Sequence, residues 1–110
     1  MKATPVLISG KDYPVKYGYA ALRHFSDATG TTLGDLGNMG ETMTITQAIA
    51  LVWAGLKDGA RVTKTEFLLD MDDVADLLDE DDKALEKVLA VFGESLSKPG
   101  AKKKGKLVKK

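Results

Sequence analysis

Residues 44–60 read TITQAIALVWAGLKDGA, and this stretch decides how the rest of the chain is to be arranged. Ile45, Ala48, Ile49, Val52, Trp53 and Leu56 recur at i, i+3, i+4, i+7, i+8 and i+11, which draws one apolar stripe along a helix. Thr44 and Gln47 form the pattern of a capping box, in which a threonine oxygen takes the third helical N–H and a glutamine side chain reaches back. Gly59 has the chemistry of a helix stop. A helix over 45–58 is therefore expected at the centre of the core, with Ile45, Ile49, Val52, Trp53 and Leu56 turned inward.

Towards the N-terminus the period changes from helix to strand. Val6, Leu7 and Ile8 make a short apolar run, Ser9-Gly10-Lys11-Asp12 supplies turn chemistry, and Tyr13, Val15 and Tyr17 alternate with Pro14 and Lys16. This predicts a hairpin over 5–17. Pro14 lacks an N–H, so its strand must be an edge or be bonded only on its other side. Ala21, Leu22, Phe25 and Ala28 then return to helical spacing and Gly30 ends it, which predicts a helix over 19–29 with Leu22 and Phe25 in the core. Glycines 34, 37 and 40 make the next segment too glycine-rich for a continuous helix, and a connecting loop is expected, either mobile or holding one helical turn.

Towards the C-terminus a second capping pattern, Thr63-x-x-Glu66, opens TEFLLDMDD as a short helix or turn, which Asp70 can end and cap again for the next helix. Val74, Leu77 and Leu78 form one apolar face and Leu85, Val88, Leu89 and Phe92 another, which predicts helices over 64–79 and 82–93, the second stopped by Gly93. Between them DEDD, residues 79–82, should break the helix through repulsion while favouring a new helical N-terminus. No apolar period survives beyond Ser97. The expected architecture is α+β and mainly α: one globular domain over 1–97 with a short N-terminal hairpin and about four helices, followed by a flexible lysine-rich tail over 98–110.

Composition narrows the functional classes. The chain has 110 residues, 44% apolar and 29% charged, which suits a single folded domain. It has no cysteine, so disulfides, thiolate nucleophiles and cysteine-based zinc sites are excluded. The N-terminal apolar run of Val6 to Ile8 is far shorter than the apolar region of a signal peptide, and the stretch from Ile45 to Leu56 is interrupted by Thr46 and Gln47 and too short to span a bilayer. A soluble intracellular protein without a membrane partner is expected.

The zero net charge conceals a polarity. Residues 61–97 hold four basic against eleven acidic residues, and residues 98–110 hold seven lysines and no acid. A lysine run of this kind suits salt-sensitive contact with phosphates, so a small nucleic-acid-binding or regulatory protein is the alternative reading. The acidic segment beside it cancels its charge, and a nucleic-acid binder normally presents a basic face of the fold rather than a basic end alone. Nucleic acid is therefore not the expected partner.

No catalytic or metal-binding pattern emerges. His24 is the only histidine and has no partner at a recognisable spacing. Aligned on a calcium loop from Asp70, the acidic run places Val74 and Ala75 where a ligand and a glycine are needed; from Asp79 it places Lys83 and Ala84 there. The glycines at 34, 37 and 40 match neither a dinucleotide fingerprint nor a P-loop. Trp53 belongs to the core stripe rather than to a base-stacking platform. No enzyme, cofactor or metal is expected.

Three stretches, YPVKYGYAALRHFSDATGTTLGDL, TITQAIALVWAGLKDGA and TKTEFLLDMDDVADLLDEDDKALEKVLAVFGESL, resemble the tail assembly chaperones of long-tailed bacteriophages and related prophages, over about residues 5–97. The resemblance implies a small, mostly helical, non-enzymatic protein. It would act in the host cytoplasm during infection and be absent from the mature virion. There it binds and solubilises the tape-measure protein and promotes assembly of tail-tube subunits around it. It further implies a longer product of programmed ribosomal frameshifting that recruits the tube protein, and the Lys-Lys and Gly-Lys pairs of residues 102–106 are of a kind that a slippery heptamer encodes. On physical grounds, the faces Val74, Leu77, Leu78 and Leu85, Val88, Leu89, Phe92 are the candidates for binding the client or a second copy, with packing in the chain's own core the favoured alternative for the same side chains.

Overall fold

The computed structural model describes residues 3–32, 35 and 43–96. Its elements are β1 (Thr4–Ile8), β2 (Lys11–Val15), α1 (Tyr19–Thr29), α2 (Ile45–Thr63), α3 (Met71–Glu80) and α4 (Ala84–Leu96). The fold is α+β and mainly α, a two-stranded antiparallel hairpin followed by four helices among the described residues. The expectations for glycines 34, 37 and 40 and for the tail over 98–110 lie outside the described residues.

The hairpin turn is tighter than the four residues expected. Ser9 and Gly10, with φ of 52° and 83°, form a two-residue connection of the primed kind that suits the right-handed twist of two strands. Ile8 pairs with Lys11, so hydrogen-bonded and non-bonded pairs alternate from there and Pro5 falls opposite Pro14 at a non-bonded position. Neither proline removes a ladder bond. Pro14 turns its carbonyl to the outer edge of β2, and α2 covers that edge.

The close approach of α2 depends on Gly55 and Gly59. A Cβ at Gly59 would collide with the carbonyl of Pro14, and one at Gly55 with the ring of Tyr17. The absence of both side chains lets the Lys16 backbone N–H donate to the Gly55 carbonyl at 3.1 Å, so a strand edge is hydrogen-bonded by a helix carbonyl. This overturns the expected stop at Gly59: a helix continues through a glycine whose job is contact, and α2 ends at Thr63. Lys64 is the αL residue there, with φ of 59°, and its N–H reaches the carbonyls of Ala60 and Arg61.

The capping box at Thr44 and Gln47 is present in both directions, at 3.1 and 2.9 Å. The one expected at Thr63 is not. Thr63 lies in the last turn of α2, where its hydroxyl donates back to the Gly59 carbonyl at 2.9 Å, and residues 65–70 follow without helical structure. The expected helix over 64–79 therefore begins at Met71, capped reciprocally by Asp70 and Asp73. At Asp81–Lys83 the chain breaks between helices, as the four acids suggested. Gly93 does not stop α4, which continues to Leu96.

One core joins all of these elements. Val6, Ile8, Val15 and Tyr17 of the hairpin region meet Ala21 and Phe25 of α1, Leu51, Val52 and Leu56 of α2, Val74 of α3, and Val88 and Phe92 of α4. Burying side chains such as Phe25, Ile8, Leu51 and Leu56 stabilises the fold by about 1.5–3 kcal/mol each. The Tyr17 and Phe92 rings meet edge to face with centroids 5.2 Å apart. Of the expected core face, Leu22, Ile49 and Trp53 are half-buried, and Ile45 departs from it at 78% exposed. As the first residue of α2, Ile45 projects beyond the turns that α1 and the hairpin cover.

Candidate functional site

Residues 65–70 leave α2 at Thr65, whose N–H donates to the Ala60 carbonyl at 2.9 Å, and reach the Asp70 cap of α3. Near its end, the Leu69 carbonyl accepts the indole N–H of Trp53 at 3.3 Å, which ties the segment to the middle of α2. Between this segment and β2 lies a groove of about 310 Å³. Leu56 and Ala60 lie on α2 along it, Tyr13 and Pro14 line one wall, and Phe67, Leu68 and Leu69 line the other. Lys11, Asp12 and Glu66 add charge, with the Lys11 ammonium 5.2 Å from the Tyr13 ring centroid. Leu68 is 78% exposed, a large apolar side chain in water next to an apolar cavity.

Sequence reasoning placed these residues inside a helix and so missed the groove. The available signal was the Asp70-x-x-Asp73 cap, which starts α3 at Met71 and leaves Phe67-Leu68-Leu69 unwound.

The face expected to bind a partner is divided. Val74 and Val88 are wholly buried and Phe92 nearly so, which places them in the core. Leu77, Leu78, Leu85 and Leu89 are half-buried and pack on the rim of that core. An amphipathic helix of this size cannot serve the fold and a partner with the same side chains, and here the innermost ones serve the fold.

A second constellation is buried beneath α2. The Asp58 side chain is fully buried and accepts from Arg61 Nε at 2.6 Å and from Lys16 Nζ at 3.3 Å. Burial pushes its carboxyl up, but the hydrogen bonds from Arg61 and Lys16 and their charges outweigh that and hold it below the usual carboxylate range. Tyr17 lies nearby, its hydroxyl donating to the Leu51 carbonyl at 2.7 Å, and burial raises its pKa far above the ordinary phenol value. Both arrangements join the hairpin to α2.

His24 packs against Trp53 with ring centroids 6.3 Å apart, and Lys57 sits 5.0 Å from the Trp53 centroid. Burial lowers the His24 pKa, and the nearby charges of Lys57, Arg23 and Arg61 lower it further against an opposing pull from Asp58. The imidazole is thereby biased towards its neutral form. Among the described residues there is no group of three side chains able to hold a metal ion, and no helix is long and apolar enough to cross a membrane. No protein-family model matches the chain, and no curated protein or solved structure shows significant similarity to it.

Proposed function

We propose that this chain is a non-enzymatic tail assembly chaperone of a long-tailed bacteriophage or prophage, which binds the tape-measure protein, keeps it soluble and promotes tail-tube assembly around it. The observation that carries the reading is the order of elements. The three stretches that resemble the family supply β2 with α1, then α2, then α3 with α4, and together they close one core. A chaperone for a long apolar helix also needs apolar surface beyond that core. Half-buried Leu77, Leu78, Leu85 and Leu89, together with exposed Ile45, offer it. The tube protein would be recruited by a longer frameshifted product, and the work would be done in the host cytoplasm.

Co-expression with the tape-measure protein encoded beside it is the test. The client is expected to move from the insoluble to the soluble fraction and to co-purify with this chain. A client that stays insoluble and does not co-purify with this chain would overturn the proposal. DNA binding that is salt-sensitive and lost on deleting residues 98–110 would favour the nucleic-acid reading instead.

A further inference from the structure

We propose that the groove beside Leu68 is closed by residues 104–110 of the same chain, with Leu107 and Val108 seated on its apolar floor and the lysines around them on its acidic rim. The floor is buried Leu56 and Ala60 of α2, and exposed Leu68 forms the lip. Three charged side chains line the same groove, Lys11, Asp12 and Glu66. The Lys11 ammonium lies 5.2 Å from the Tyr13 ring centroid, whereas the exposed carboxylates of Asp12 and Glu66 have no ion pair or side-chain hydrogen bond among the described residues. Next to the groove, the Asp70 carboxylate is committed to the N–H of Asp73. The charge left over at the rim is therefore negative, around an apolar cavity of about 310 Å³.

An occupant suited to such a place carries aliphatic side chains between cations. Residues 104–110 read KGKLVKK, and Leu107 and Val108 are the only large apolar side chains after Leu96, with Lys106 before them and Lys109 and Lys110 after. Lysines alone would be drawn to any carboxylates, those of α3 included. Exposed ion pairs contribute little, however, so the aliphatic pair is what selects the groove. The chain between is long enough. Leu96 lies one helical turn beyond Phe92, whose ring packs on Tyr17; the Tyr17 ring fills the space a side chain at Gly55 would take, and Leu56 beside Gly55 is the groove floor. Residues 97–107 span up to roughly 36–40 Å when extended. A tether of that length holds its segment at an effective concentration on the order of millimolar, so a weak contact is enough to close the groove and to withhold Leu68 from other proteins. This contact concerns the chain alone and does not rest on the tape-measure reading.

The chain has no cysteine, so Lys110→Cys gives a single site for a nitroxide spin label beside the segment. In NMR spectra of the full chain the label is expected to broaden the amides of Asp12, Tyr13 and residues 66–69 more strongly than those at the end of α4, to which residues 97–110 are joined. Leu107→Asp combined with Val108→Asp should lower the docked population at least about tenfold and abolish the broadening at the groove. Asp12→Lys combined with Glu66→Lys should weaken it as well, and so should raising salt from about 50 to 500 mM. The thermal melt of that charge-reversed variant should be unchanged, since both side chains are exposed.

Broadening confined to the end of α4 overturns the proposal, whether the groove stays open or waits for a foreign chain. So does broadening at the groove that survives the two aspartates at 107 and 108, which would reduce the contact to lysines on carboxylates, or that ignores the reversal of Asp12 and Glu66. Mixing spin-labelled chain with isotope-enriched chain that carries no label tests closure within one molecule. Broadening in the unlabelled copy would mean that the segment seats in a second copy, and overturns it.

Discussion

The hairpin is held to the helices at two places by the same chemistry, and the two differ in how much water reaches them. At its base, Lys16 pairs with Asp58 at 3.3 Å with both side chains buried, and the Lys16 N–H donates to the Gly55 carbonyl. At its tip, Lys87 pairs with Asp81 at 3.5 Å with side chains 39% and 18% exposed, and the Ser9 N–H donates to Asp81 at 3.0 Å. Lys87 Nζ also donates to the Leu7 carbonyl, and the Ser9 hydroxyl to Glu80. The distances are nearly equal. What separates the two clasps is the medium: a charge sealed from water must keep its partner, whereas an exposed one can return to solvent at little cost.

The sharpest break is to remove one partner at the base. Asp58→Ala leaves the Lys16 ammonium buried without its carboxylate, and a loss of about 3–5 kcal/mol is expected in urea unfolding. The double variant Lys16→Met with Asp58→Leu should cost less than Asp58→Ala alone, because no uncompensated charge stays inside. Acid probes the same site without mutation. The folded-state pKa of Asp58 is depressed, so the stability it contributes is fully present above the unfolded carboxylate value and is lost as pH falls through the folded one. The wild type should therefore lose stability below about pH 4, and Asp58→Asn should flatten that limb.

A smaller break acts on the contact rather than the charge. Gly59→Ala places a Cβ against the Pro14 carbonyl, which is backbone and cannot rotate away, and a cost of about 2–3 kcal/mol is expected. Gly93→Ala is the counterpart on α4. Among the described residues nothing lies within 4 Å of a Cβ there, so relief of glycine's entropy in a helix should stabilise by about 0.5–1 kcal/mol. Equal effects from the two substitutions would mean that α2 does not rest on β2 through Gly59.

These two glycines also mark what the sequence could and could not convey. By local rules both are helix stops, because a glycine after an apolar stripe is a local signal and such rules act within a turn. Gly59 is instead fixed by Pro14, which lies 45 residues away in the chain, and Lys16 meets Asp58 across 42 residues. Neither relation has a local trace. The start of α2 was legible because its capping box is complete within Thr44–Gln47, and the break near Asp81 because four consecutive acids repel wherever they lie. Thr63-x-x-Glu66 has the same letters as a cap, yet the Thr63 hydroxyl is already committed to the carbonyls of Gly59 and Ala60. With that helix start lost, residues 65–70 stay unwound, and the groove and Leu68 follow from a geometry that no periodicity announces.

The gentlest break is at the tip. In Asp81→Ala the Ser9 N–H loses its acceptor, and its amide exchange should quicken by about tenfold while exchange in the core of α2 is unchanged. The Asp81 carboxyl is held below its usual range chiefly by the N–H groups of Ser9 and Lys83, with Lys87 adding to them. The clasp is therefore whole above the ordinary carboxylate range and opens as pH falls through the depressed folded value. Raising salt to about 500 mM should weaken the Lys87–Asp81 pair, which lies within reach of screening ions, and leave Lys16–Asp58 unaffected. Protection at Ser9 then falls with salt while the unfolding midpoint moves little. If Asp81→Ala instead lowered global stability as far as Asp58→Ala, burial would not be what distinguishes the two clasps, and the hairpin tip would have to be counted as part of the core.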